Sequence, residues 1–136
     1  MSVGVLLITH PGIGTSMLHS ARRIIQQCPL QTMCIEVPVD ASPERTSDTV
    51  AKLIAQLDQG EGVLILTDLF GATPNNIARK FSHPGRVAVL AGLNLPMLVR
   101  VFNYPQADLK SLCNTAVQGG ARGVHECRLD AGQGHA

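Results

Sequence analysis

A chain of 136 residues fits one domain, and a domain of this size buries roughly two-thirds of the surface its unfolded form exposes. Hydrophobic residues at 45% and charged residues at 15% exclude a disordered chain, while 3% aromatics require an aliphatic core. A net charge of +1 with scattered Lys and Arg, no Trp and one Tyr leaves neither a basic stripe nor a stacking platform, so nucleic acid is excluded as a partner.

The apolar runs are far shorter than the roughly 20 residues that span a bilayer, and no basic segment precedes the first. The chain is therefore expected in the cytoplasm, with no direct membrane insertion. Cys28, Cys34, Cys113 and Cys127 form no CxxC pair, so they read as reduced packing residues rather than metal ligands or a redox dithiol.

In chain order, Val3 to Ile8 is the first continuous apolar run and marks a buried strand. A helical face follows in Met17, Leu18, Ala21, Ile24, Ile25 and Cys28, with Thr15 or Ser16 as its cap. Met33 to Val37 is a weaker second strand. Ser42 and Pro43 then start a helix carrying Val50, Leu53, Ile54 and Leu57, which Gly60 ends. Gly62 to Thr67 is the third strand, and Pro74 opens a short helix with Ile77, Ala78 and Phe81. Arg86 to Ala91 is the fourth strand, and Pro96 opens a further helix. Leu109, Leu112, Cys113, Ala116 and Val117 form a last helical face, stopped by Gly119 and Gly120. The alternating segment "GVHECRL" is expected as a fifth strand, at a sheet edge or a subunit interface. The small, polar residues 130–136 are expected to be disordered, leaving 1–129 as a single domain.

Continuous apolar strands alternating with helices call for an α/β fold: an open, mainly parallel, doubly wound sheet of strand order 2-1-3-4. In such sheets ligands bind beyond the carboxyl ends of the strands where the order reverses, here between the first and third. Thr9 and His10 leave the first strand there, and Thr67 and Asp68 leave the third. A carboxylate on one imidazole nitrogen fixes the tautomer and frees the other nitrogen's lone pair. In "LFGATPNN", Gly71 permits a tight turn, Thr73 offers a cap and a hydroxyl, and Pro74 begins a helix whose first amides suit an anion, so Gly71, Ala72 and Thr73 are candidate phosphate ligands. Together these groups suit phosphoryl transfer through histidine. Each residue also has an ordinary role as a strand end, loop residue or helix start, and spacing alone leaves both readings open. His19, His83, His125 and His135 read as surface or structural residues.

The combination of "THPGIG", "VLILTDLFGATPNNIA" and "VAVLAGLNLPMLVR" resembles the IIA components of the mannose-type phosphoenolpyruvate-dependent sugar phosphotransferase system, from about Val3 to Arg128. The resemblance implies that His10 accepts phosphate from the phosphocarrier protein HPr, on the nitrogen remote from Asp68, and passes it to a IIB component. It also implies that Thr73 lies near the phosphate and that Asn94 and Pro96, with Thr9, line the site. No metal or cofactor is implied. Family members are commonly homodimers that exchange the last strand, which here is "GVHECRL". Pro11 stands where many members have glycine or another small residue, and no IIB domain follows in this sequence, so the acceptor is expected on a separate chain. Two alternatives use the same histidine: a regulatory phosphoprotein of a system without a permease, and the phosphocarrier domain of a dihydroxyacetone kinase. A third, a flavodoxin-like ligand-binding domain, uses no phosphohistidine.

Overall fold

A computed structural model describes residues 1–27 and 30–129. Cys28 and the expected disordered tail, 130–136, lie outside the described residues. The elements run β1 (Gly4–Thr9), α1 (Gly14–Ile25), β2 (Thr32–Glu36), α2 (Pro43–Leu57), β3 (Val63–Thr67), α3 (Thr73–Arg79), β4 (Val87–Ala91), α4 (Leu95–Phe102) and α5 (Leu109–Arg122). Every strand pairing is parallel and the order is β2-β1-β3-β4. The expected topology is therefore observed.

Alternate side chains of the central strands feed two cores. Val5, Leu7, Leu64 and Leu66 pack with α1, α4 and α5, whereas Leu6, Ile8, Val63 and Ile65 pack with α2 and α3. Burial on both faces is why β1 and β3 read as unbroken apolar runs. Truncating one of these side chains, as in Leu7→Ala, would cost about 2–5 kcal/mol.

Helix starts follow local chemistry only in part. Ser42 caps α2 by accepting from the Arg45 amide at 3.3 Å, with Pro43 in the first turn, as expected. By contrast, α1 begins at Gly14 behind Ile13, which supplies no side-chain cap, so Thr15 and Ser16 sit inside the first turn. Ile24 and Val117, expected on apolar faces, are 56% and 50% exposed.

Gly119 and Gly120 do not stop α5, which runs on to Arg122. They are buried against α4: a Cβ at Gly119 would stand 2.7 Å from Arg100 Cβ, and one at Gly120 would stand 2.9 Å from Met97 Cε. Their small size serves close helix packing rather than termination. The segment expected as a fifth strand is also different. Residues 124–129 form no strand within the chain and lie exposed, Val124 at 80% and Leu129 at 88%. An alternating segment becomes a strand only on a sheet edge, and α5 does not return this one to its own sheet. Among the described residues, no helix is long and apolar enough to cross a membrane.

Candidate functional site

Strand register brings the site together. Thr9 pairs with Glu36 across β1 and β2, and Ile8 pairs with Thr67 across β1 and β3. The three strands therefore end level, with His10 leaving the middle one and Asp68 leaving β3 beside it.

The ring Nδ1 of His10 is 2.7 Å from Asp68 Oδ2, and the same oxygen accepts the His10 backbone amide at 3.1 Å. Burial of the carboxylate opposes its charge, but hydrogen bonds from the His10 ring, the His10 amide and Asp68's own amide outweigh it and hold the pKa below the ordinary 3.8. An ionised carboxylate is an acceptor only, so Nδ1 must carry the hydrogen, and the lone pair of a neutral ring lies on Nε2. The His10 side chain is 37% exposed against 9% for Asp68, so the ring faces solvent while its partner does not. Asp68 Oδ1 is buried and has no hydrogen-bond partner among the described residues.

The loop after Asp68 is held from below. Asn75, buried at 2% exposure, accepts the Gly71 amide at 3.0 Å and donates to Thr67 Oγ1 at 3.0 Å, which in turn donates to the Leu90 carbonyl at 3.2 Å. Gly71 itself has φ +83°, a left-handed turn that glycine adopts freely. Its amide is engaged by Asn75, and that of Ala72 bonds the Leu69 carbonyl at 3.3 Å. Ala72, rather than Thr73, is the N-cap of α3. Thr73 occupies the first helical position, and neither its amide nor its hydroxyl is hydrogen-bonded among the described residues.

Other expected site residues have structural work. Thr9 is fully buried beneath the loop, where its hydroxyl donates to the His10 carbonyl and accepts the Gly14 amide, both at 2.9 Å, so it supports the site rather than lining it. Gly14 must be small there, since a Cβ would stand 2.8 Å from that hydroxyl and 2.5 Å from Cys34 Sγ. Asn94 caps α4 through the Met97 amide at 2.9 Å and donates to the Gly120 carbonyl at 3.0 Å. Pro96 packs on Gly123. Both belong to the α4–α5 contact.

Sequence reasoning missed Glu36 and Asn75. Glu36 accepts the Gly12 amide at 2.9 Å and the Thr15 amide at 3.0 Å, and those bonds lower its pKa. A carboxylate closing a strand beside a histidine-bearing loop was the available signal. Among the described residues, no three His, Cys, Asp or Glu side chains converge to hold a metal ion.

Two hollows, of about 490 and 580 Å³, follow the β4 edge, the first beside α5 and the second beside α3. His10 and Asp68 line neither. Leu69 and Phe70, which follow Asp68, are 60% and 75% exposed, and Phe70 lines the second hollow.

Comparison with known proteins bears on the fold and the family. The chain is 28% identical over 127 residues to the "PTS system mannose-specific EIIAB component" of Escherichia coli K12, an alignment covering 91% of this chain and 39% of that protein. The chain thus spans about two-fifths of the length of that relative. Its fold is similar to the mannose/sorbose-specific IIA subunit of the phosphotransferase system from Enterococcus faecalis, with a TM-score of 0.83 at 24% identity, covering 96% and 98% of the two chains. A component EIIA from Streptococcus agalactiae matches with a TM-score of 0.78 at 20% identity, covering 91% and 96%. The sequence profile of the EIIA-man family, described as "PTS system fructose IIA component", matches residues 4–117. The chain belongs to the EIIA-man family of phosphotransferase-system IIA components.

Proposed function

We propose that this protein is a cytoplasmic phosphocarrier of sugar uptake that accepts a phosphoryl group from phospho-HPr on His10 Nε2 and passes it to a IIB component. The observation that carries the reading is the 2.7 Å contact between His10 Nδ1 and the ionised Asp68, on a ring open to solvent. In the first step the Nε2 lone pair attacks phosphorus while the P–N bond to the donor imidazole breaks, its electron pair remaining on the donor nitrogen. The His10 ring becomes a phosphorylated imidazolium that keeps its hydrogen on Nδ1, and Asp68 stabilises the new charge. Transfer to IIB reverses these events and restores the neutral ring. Because a phosphoramidate is already activated, alignment and charge stabilisation suffice.

The unengaged hydroxyl and amide of Thr73 are the phosphate ligands, while Gly71 and Ala72 shape the loop that presents them. Leu69 and Phe70 offer apolar contact to a protein partner rather than to a small ligand. Residues 1–129 act as one IIA domain in a homodimer, and residues 124–129 pair along the β4 edge of a second copy, covering the hollows there.

The test is labelling from phosphoenolpyruvate with enzyme I and HPr. The wild-type protein gains one phosphoryl group and His10→Ala gains none; equal labelling of the two would overturn the assignment.

A further inference from the structure

We infer that Glu36 is a positioning residue for His10, acting through the loop that carries the imidazole. The inference deepens the phosphocarrier reading and rests on it for its kinetic consequence. The loop between β1 and α1 must hold a ring whose Nδ1 reaches Asp68 and whose Nε2 faces a partner. It contains Pro11, which has no amide hydrogen, and Gly12 at φ +83°, where backbone freedom is greatest. Left alone, such a loop would pivot at Gly12.

Side-chain acceptors from three strands prevent this. Just past β3, Asp68 takes the His10 amide, and from β1, Thr9 takes the Gly14 amide. On the β2 side, Glu36 spends both oxygens: Oε1 takes the Gly12 amide at 2.9 Å and Oε2 takes the Thr15 amide at 3.0 Å. Register makes the clamp two-sided, since Glu36 pairs directly with Thr9 and Asp68 follows the partner of Ile8. Carboxylates from the two flanking strands thus grip the segment on either side of the catalytic ring.

Glu36 also replaces the missing local cap of α1. Ile13 supplies none, so a carboxylate distant in sequence satisfies a free amide of the first turn and places negative charge where the helix favours it. Two hydrogen bonds to an ionised acceptor are stronger than neutral ones. A Gln in this position keeps one accepting oxygen, but its NH2 group would face an amide hydrogen. Its clamp is therefore half made.

The experiment uses Glu36→Gln and Glu36→Ala, read in two ways. In the unphosphorylated protein, ring-nitrogen NMR of His10 should show the Nδ1–H tautomer in wild type, a mixture of tautomers in Glu36→Ala and an intermediate in Glu36→Gln. With phospho-HPr as donor, kcat should fall about tenfold in Glu36→Ala and less in Glu36→Gln, with KM within about twofold, because misalignment affects the transition state more than docking. A Glu36→Ala protein with wild-type tautomer and kcat, or one whose loss lies wholly in KM, overturns the inference. So does a lowered Tm with an unchanged ring spectrum, which would make Glu36 structural only. Should Glu36→Ala not fold, Glu36→Gln decides by the same criteria. Failure of the phosphocarrier reading is separately visible as an unlabelled wild-type protein, and the ring spectrum still decides the clamp.

Discussion

One oxygen of Asp68 receives both the ring Nδ1–H and the backbone amide of His10, at 2.7 and 3.1 Å. A single carboxylate therefore fixes the tautomer of the imidazole and the start of the loop that carries it. Replacing that carboxylate should affect chemistry more than folding.

Asp68→Asn should slow phosphoryl transfer about 100-fold, the scale of a lost preorganised electrostatic contact, since an amide neither enforces the tautomer nor balances the imidazolium. Stopped-flow or quench-flow transfer from phospho-HPr measures it, and circular dichroism should show a retained fold. Wild-type transfer kinetics would make Asp68 a structural residue.

The depressed pKa of Asp68 has a stability consequence of definite sign. A carboxylate whose folded pKa lies below the ordinary 3.8 stabilises the fold above that value and loses the contribution as pH falls through the folded pKa. The stability gap between wild type and Asp68→Asn should narrow as pH falls below 3.8. Denaturant unfolding below about pH 5 checks it; a gap that widens as pH falls below 3.8 would contradict the linkage.

Thr73 supplies the proposed phosphate contacts. Thr73→Ala should shift the equilibrium between the phosphorylated protein and HPr by about 1 kcal/mol toward the donor, the value of one hydrogen bond. Thr73→Ser, which keeps the hydroxyl, should restore it. An unchanged equilibrium in Thr73→Ala removes Thr73 from the site.

The two glycines of α5 should respond differently to alanine, although both changes gain about 1 kcal/mol of helix propensity. At Gly119 the new Cβ meets Cβ and Cγ of Arg100 at 2.7 and 2.8 Å, near the rigid base of a side chain, and separating the helices costs about 1–3 kcal/mol. At Gly120 it meets mainly the mobile Met97 methyl, so the change should be neutral within about 0.5 kcal/mol. Thermal unfolding should rank Gly119→Ala below wild type and Gly120→Ala level with it; the reverse ranking would refute the packing role.

These glycines show where sequence is a poor guide. A Gly-Gly pair after an amphipathic run carries the signature of a helix end, and only the neighbouring helix reveals that it is a contact. Sheet order, by contrast, was legible because strands buried on both faces leave continuous apolar runs such as Val3 to Ile8. His10 and Asp68 were legible because each follows such a run. Glu36 and Asn75 were not, because their hydrogen bonds leave no periodic signal: Glu36 accepts the amides of Gly12 and Thr15, and Asn75 accepts the Gly71 amide and donates to the Thr67 hydroxyl. Asn94 is expected at the site because its segment resembles one that lines it, yet its amide oxygen caps α4 and its amide nitrogen donates to the Gly120 carbonyl of α5.

In the proposed mechanism, phosphate resides on the His10 nitrogen remote from Asp68. Phosphorylating the protein with phosphoenolpyruvate, enzyme I and HPr, then recording ring-nitrogen and phosphorus NMR at alkaline pH, tests it directly. One phosphoryl group is expected on Nε2 of His10, with the hydrogen retained on Nδ1. Phosphate on Nδ1, on another residue, or no phosphate at all would contradict it.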